Sequence, residues 1–289
     1  MNERSNQRRQ RPSDAGPRRS KPGGSSAKKG TRIPPPPADR GPRRDDADVN
    51  ASVQDDEQQD TTVFERIDKP KKNKKSGSKG PKKRAIDVSH VDMHGVGAGT
   101  ASKLQRRLAE AASAFEAERF NDAQRMLESI ERLSPGVPEV HELLGLTHYR
   151  MGRWIKATNE LEKFGEMTGS VEQHPVMADC ARALKRWKRA EDLWHELGEA
   201  SPGPELIEEG RIVQAGALAD QGKLSDAIRF MEKAPKVKGK PGLHHLRRWY
   251  VMGDLYERAG DRSRARRVFG DIARAEPDFG DAAERAASN

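Results

Sequence analysis

The stretch WYVMGDLYERAGDRSRARRVFGDIARAEP, Trp249 to Pro277, decides the fold. Trp249, Met252, Gly253 and Tyr256 recur at the spacing of one helix face. Gly260 then offers a turn, and Ala265, Phe269 and Ile272 mark an apolar stripe of the same period on a second helix. Pro277 cannot continue that helix and closes the unit. Two antiparallel helices need small residues where their backbones approach, with large apolar residues beside them to fill the gap.

The arrangement recurs. HELLGLTHYRMGRWIKATNELEKF, His141 to Phe164, repeats it with Leu144, Gly145, His148, Gly152, Trp154, Ala157, Leu161 and Phe164. The small residue of the second helix falls at Ala123, Ala157, Ala190, Ala227 and Ala265, spaced by 34, 33, 37 and 38 residues. The small residue of the first helix falls at Ala111, Gly145, Ala178, Ala215 and Gly253, and closing prolines stand at Pro135, Pro202 and Pro277. Each hairpin leaves one face uncovered, so neighbours must stack to bury it.

These residues resemble the tetratricopeptide repeat, whose unit is a helix–turn–helix of about this length. The expected fold is all-α: a solenoid of about five repeats over residues 104–277, preceded by a long disordered tail. Residues 85–103 read as a linker, with Thr100 or Ser102 as N-cap of the first helix, and 278–289 as a C-terminal cap or tail. Pro235 should end the second helix of the fourth unit early.

The tail is residues 1–84, too poor in apolar side chains to offset the entropy of ordering. Its charge is blocked. Residues 1–44 carry 13 basic and 3 acidic side chains, residues 45–68 carry 1 and 9, and residues 69–84 carry 9 and none. The whole chain is +9, so residues 85–289 sum to −2, and the basic character belongs to the tail. Lys69, Lys71, Lys72, Lys74, Lys75, Lys79, Lys82, Lys83 and Arg84 form its strongest block, an electrostatic tether for an anionic surface.

No motif of catalysis stands out, and the expectation is a protein that is not an enzyme and takes no cofactor or metal. HELLG at His141–Gly145 and HELGE at His195–Glu199 lack the second histidine of a zinc site. His90 and His94 have helical spacing but no recognisable third ligand. Gly95, Gly97 and Gly99 read as a hinge, because no strand precedes them and no Gly-Lys-Ser/Thr follows. Trp154, Trp187, Trp194 and Trp249 occupy packing places of the repeat. Cys180, the one cysteine, reads as a buried small hydrophobe, and His244, His245, Arg247 and Arg248 as a cationic edge. With no apolar run long enough to span a bilayer, no membrane contact is expected, and the setting reads as a reducing cytoplasm.

The resemblance implies a concave groove, lined by the first helices, that binds peptides. Carried over by register, its candidates are Glu142, Tyr149, Arg150, Asp179, Arg182, Asp220, Tyr250, Asp254, Glu257 and Arg258. Ala112, Leu146, Asp179, Gly216 and Asp254 stand where carboxylate-clamp members of the family need an asparagine, which argues against that clamp. The leading expectation is therefore a scaffold binding a protein segment. The alternative is nucleic-acid or ribosome association through the tail, without sequence specificity.

Overall fold

The computed structural model describes Val88, residues 91–93 and residues 95–288. These residues are all-α, with eleven helices. The hairpins pair α1 (Ala98–Glu116) with α2 (Phe120–Leu133), and α3 (Pro138–Arg150) with α4 (Trp154–Thr168). They continue with α5 (His174–Ala183) and α6 (Trp187–Ala200), then α7 (Pro204–Asp220) and α8 (Leu224–Glu232). The fifth joins α9 (Leu243–Arg258) to α10 (Arg262–Ala275), and α11 (Ala282–Ala287) packs on α10.

Every hairpin turns in the same way. Its middle turn residue is left-handed: Glu118 at φ 59°, Gly152 at 71°, Lys185 at 55°, Gly222 at 78° and Gly260 at 77°. The next N–H then donates to the carbonyl five residues back. Arg119 reaches Ala114, Arg153 reaches His148, Arg186 reaches Ala181, Lys223 reaches Leu218 and Asp261 reaches Tyr256, all at 2.8 to 3.0 Å. This closure satisfies a carbonyl that the helix end would otherwise leave without a partner. Glycine takes the left-handed shape freely, whereas a side chain such as those of Glu118 and Lys185 costs roughly 1–2 kcal/mol there.

Helix contact explains the small residues. Ala123, Ala157, Ala190, Ala227 and Ala265 are all buried. A Cβ on Gly145 would stand 2.5 Å from Leu161, and one on Gly253 would stand 2.5 Å from the Phe269 ring. Gly210 is under the same constraint, 2.4 Å from Leu197 and against Trp194, although no repeat position singled it out. Trp154 is buried, while Trp187 and Trp249 pack partly buried against the cores of the third to fifth hairpins. α8 is only nine residues long and stops before Pro235, whose carbonyl accepts from Arg248 at 3.1 Å.

The N-terminal boundary differs from the expectation. α1 starts at Ala98, six residues ahead of Leu104, and its N-cap is Gly97. Thr100 and Ser102 lie inside the helix, where the Ser102 hydroxyl donates to the Ala98 carbonyl at 3.1 Å. Gly99 is helical too, so the three glycines do not form one hinge. Val88, Val91 and Met93 are buried with Leu104, Leu108 and Val140, and Gln105 Nε2 donates to the Val91 carbonyl at 2.8 Å. Among the described residues no hairpin precedes the first, and these buried side chains cover part of its apolar face.

Candidate interaction surface

Short connections make the first helices α1, α3, α5, α7 and α9 run one way and the second helices run back. Side chains three and four residues apart on neighbouring first helices therefore meet along one face. The ten groove candidates lie on α3, α5, α7 and α9, and most of them are engaged with adjacent elements.

In the middle of the stack, the Tyr149 hydroxyl of α3 donates to Asp179 Oδ2 of α5 at 2.6 Å. Arg182 Nε donates to Asp179 Oδ1 at 2.7 Å, and its guanidinium also pairs with Asp220 of α7. One network thus crosses three hairpins. Burial disfavours the charge on Arg182, but Asp179 and Asp220 outweigh it and push the guanidinium pKa above its ordinary value. Tyr149, Asp179 and Arg182 are only 7%, 1% and 4% accessible. The expectation that these three face an open groove is corrected: they are inter-repeat stitches, because a buried charge is stable only when paired.

Towards either end, engagement is looser. Glu142 accepts from Gln173 at 2.7 Å, yet burial raises its carboxyl pKa. Arg150 meets Glu118 at 3.2 Å and lies over the Phe120 ring at 4.9 Å. The Tyr250 hydroxyl donates to Asp281 at 2.7 Å, and burial together with that carboxylate pushes its pKa up to about 12. Arg285 of α11 pairs with Asp254 at 3.1 Å and with Glu257, and sits over the Phe269 ring at 4.1 Å. Arg258 is exposed and has no ionic partner among the described residues.

Several polar contacts had no local signal. Glu208 of α7 and Arg248 of α9 form a buried pair at 2.6 Å, and Arg247 meets Glu209 at 3.1 Å. The cationic edge expected around His244 is corrected accordingly, since two of its members are spent on α7. His245 Nδ1 accepts from the Gly242 N–H at 3.0 Å, closing the start of α9. His141 is buried between two second helices, 2.6 Å from Glu160 and 3.4 Å from Glu131. The ion-pair partners lie 10 to 40 residues apart in sequence, so only stacking brings them together.

Cys180 is fully buried, and burial pushes its thiol pKa far up, which holds it as an inert thiol. Among the described residues no cluster of three His, Cys, Asp or Glu could hold a metal, and no helix is long and apolar enough to cross a membrane. His90, His94 and the tether residues Lys69 to Arg84 lie outside the described residues.

No protein-family model and no curated protein matches the chain. Among solved structures it is similar to TTC0263, a thermophilic TPR protein of Thermus thermophilus. That likeness has 16% identity, covers 64% of this chain and 97% of the other, and has a TM-score of 0.51. It is also similar to a tetratricopeptide repeat protein from Parabacteroides merdae. There the identity is 16%, the coverage 64% and 70%, and the TM-score 0.49. At this identity the likeness to the Thermus protein is one of fold, and the fold is the tetratricopeptide-type solenoid.

Proposed function

We propose that this solenoid is a non-catalytic scaffold that binds a protein segment along the face of its first helices, with the basic run 69–84 as an electrostatic tether. The observation that carries this reading is the charge left accessible on that face. The side chains of Arg150 and Asp220 are each 30% accessible, those of Asp254 and Glu257 are 36% and 38%, and Arg258 is exposed. Both signs are represented, which suits a segment of mixed charge. Beneath them, the buried Tyr149–Asp179–Arg182 network holds the repeats in one arrangement, so little ordering cost falls on binding. A reducing cytoplasm suits a chain whose one cysteine is a buried thiol.

Affinity capture tests the reading. Full-length chain should retain specific proteins after nuclease treatment, and the triple variant Arg150→Glu, Glu257→Lys, Arg258→Glu should lose them while keeping its helical circular dichroism. Equal capture by both chains would overturn it.

A second reading rests on the nine cations and no acid of residues 69–84. Such a run releases counterions from phosphates, with non-specific dissociation constants on the order of 10⁻⁴ to 10⁻⁶ M at physiological salt. Deleting residues 1–84 should abolish RNA retention on a filter, and raising salt should weaken it steeply. Retention that survives the deletion rules out the tail as the contact.

A further inference from the structure

A cleft lies on the edge where one hairpin hands over to the next. It encloses about 410 Å³ between the loop after α4 and the start of α7. Val171, Pro202 and Leu206 supply its apolar surface, and Glu172, Glu205 and Glu209 its charge. Glu209 is matched by Arg247 at 3.1 Å. Glu172 and Glu205 are exposed, and neither has a cationic partner among the described residues. A neighbouring cleft of about 320 Å³ shares Ser170 and Val171 and adds Glu162 and Glu166. Its one arginine, Arg189, is already held by Glu196 at 2.8 Å and Glu162 at 3.6 Å. The continuous surface is apolar in its floor and acidic at its rim.

We propose that residues 69–84 of this same chain dock in this cleft. Charge complementarity is the first ground: the run holds nine cations and no acid, and the cleft carries Glu172 and Glu205 exposed at its rim. Lysine also suits the floor, because its methylene stem covers apolar surface while the ammonium stays with carboxylate and water.

Topology is the second ground. The first helices run parallel, so the start of α1 lies on the same edge as the loops before α5 and α7 that form the cleft. Val91 and Met93 are buried there, and Gln105 holds the Val91 carbonyl, so the chain enters the described structure at that edge. Successive first helices pack on one another, and three spacings of about 8–10 Å separate α1 from α7. From Lys74 to Val88 the chain can extend about 45–50 Å, at roughly 3.3–3.6 Å per residue. The run therefore reaches the cleft with slack. Docked there, it is withheld from other anions until one competes for it, which regulates the tether whether or not the first-helix face binds a partner.

Cys180 is fully buried, so a nitroxide placed on Ser76→Cys in the full-length chain labels the tail alone. At low salt, amide broadening is expected to be strongest around Val171 and Leu206. It should fall severalfold in the Glu172→Lys, Glu205→Lys variant and at physiological salt, where the screening length shrinks from about 30 Å to about 8 Å. Both substituted residues are exposed, so an unchanged thermal transition serves as the folding control. Three results would overturn the proposal: no excess broadening at the cleft, broadening indifferent to the charge reversal, or broadening that arises between separately labelled molecules and so reports a second copy.

Discussion

Two arginines perform the same task at two joints of the stack, in different surroundings. Arg182 holds Asp179 and Asp220 between the third and fourth hairpins, with its own side chain 4% accessible and that of Asp179 fully covered. Arg285 holds Asp254 and Glu257 between the fifth hairpin and α11, with its side chain 18% accessible and its carboxylates above a third. Water screens the second joint more than the first, where only Asp220 is partly accessible. Identical chemistry therefore makes a rigid stitch in the middle of the stack and a soft clasp at its end.

Removing each guanidinium tests this difference most strongly. Arg182→Met leaves Asp179 buried without its cation and should lower unfolding stability in urea by about 3–5 kcal/mol. Arg285→Met loses screened pairs and two cation–ring contacts, on Tyr250 and Phe269, a cost of about 1–2 kcal/mol. Equal losses would mean that burial does not separate the two joints.

The next effect concerns helix contact, beneath the end clasp and on an open helix surface. Gly253→Ala drives a methyl into the fully buried Phe269 ring beneath Arg285 and should cost about 1–3 kcal/mol. Gly198→Ala, on α6 with open space around its Cβ, should instead gain roughly 0.5–1 kcal/mol. Thermal melts of the pair distinguish packing from helix propensity.

Acid should loosen the stack near the buried His148. Burial lowers the pKa of His148, with Lys156 and Arg153 adding to it. The unfolded chain takes up that proton near the ordinary value of 6.5 while the folded chain resists, so stability is full above this range and falls as pH drops through it. Burial opposes ionisation of Glu160, but hydrogen bonds from His141 and Lys163 outweigh it and lower its pKa. Its contribution is present above the ordinary 4.5 and is lost as pH falls below. Urea midpoints should decline from pH 7 to pH 5, and His148→Gln should make that decline shallower.

The smallest effect lies in the turns. Lys185→Gly relieves a left-handed side chain and should add up to about 1 kcal/mol, whereas Gly152→Ala should lose about as much. Chemical denaturation of both variants checks the shared turn geometry.

The repeat was legible where its cause is local. Ala157 and Gly145 mark helix contact within one hairpin, and Gly152 and Gly260 mark turns that need a left-handed residue. The same reading assigned Tyr149, Asp179 and Arg182 to an open face, whereas they are buried, because register names a face and does not say whether the next repeat covers it. Asp179 and Arg182 are close neighbours in sequence, yet their burial depends on Tyr149 thirty residues before and Asp220 thirty-eight residues after Arg182. Val88, Val91 and Met93 gave no helical period because they lie ahead of α1 and are buried against it from outside a helix.

Periodicity within a turn or two of helix depends on the backbone alone, so the amino-acid order by itself determined an all-α stack of hairpins and the sites of their turns and close contacts. Which charges are stitches, which remain accessible on the first-helix face, and which rim the cleft at Val171 were decided only by tertiary structure. Burial and pairing arise between repeats, and a carboxylate with a buried cation beside it is a different chemical group from the same carboxylate in water.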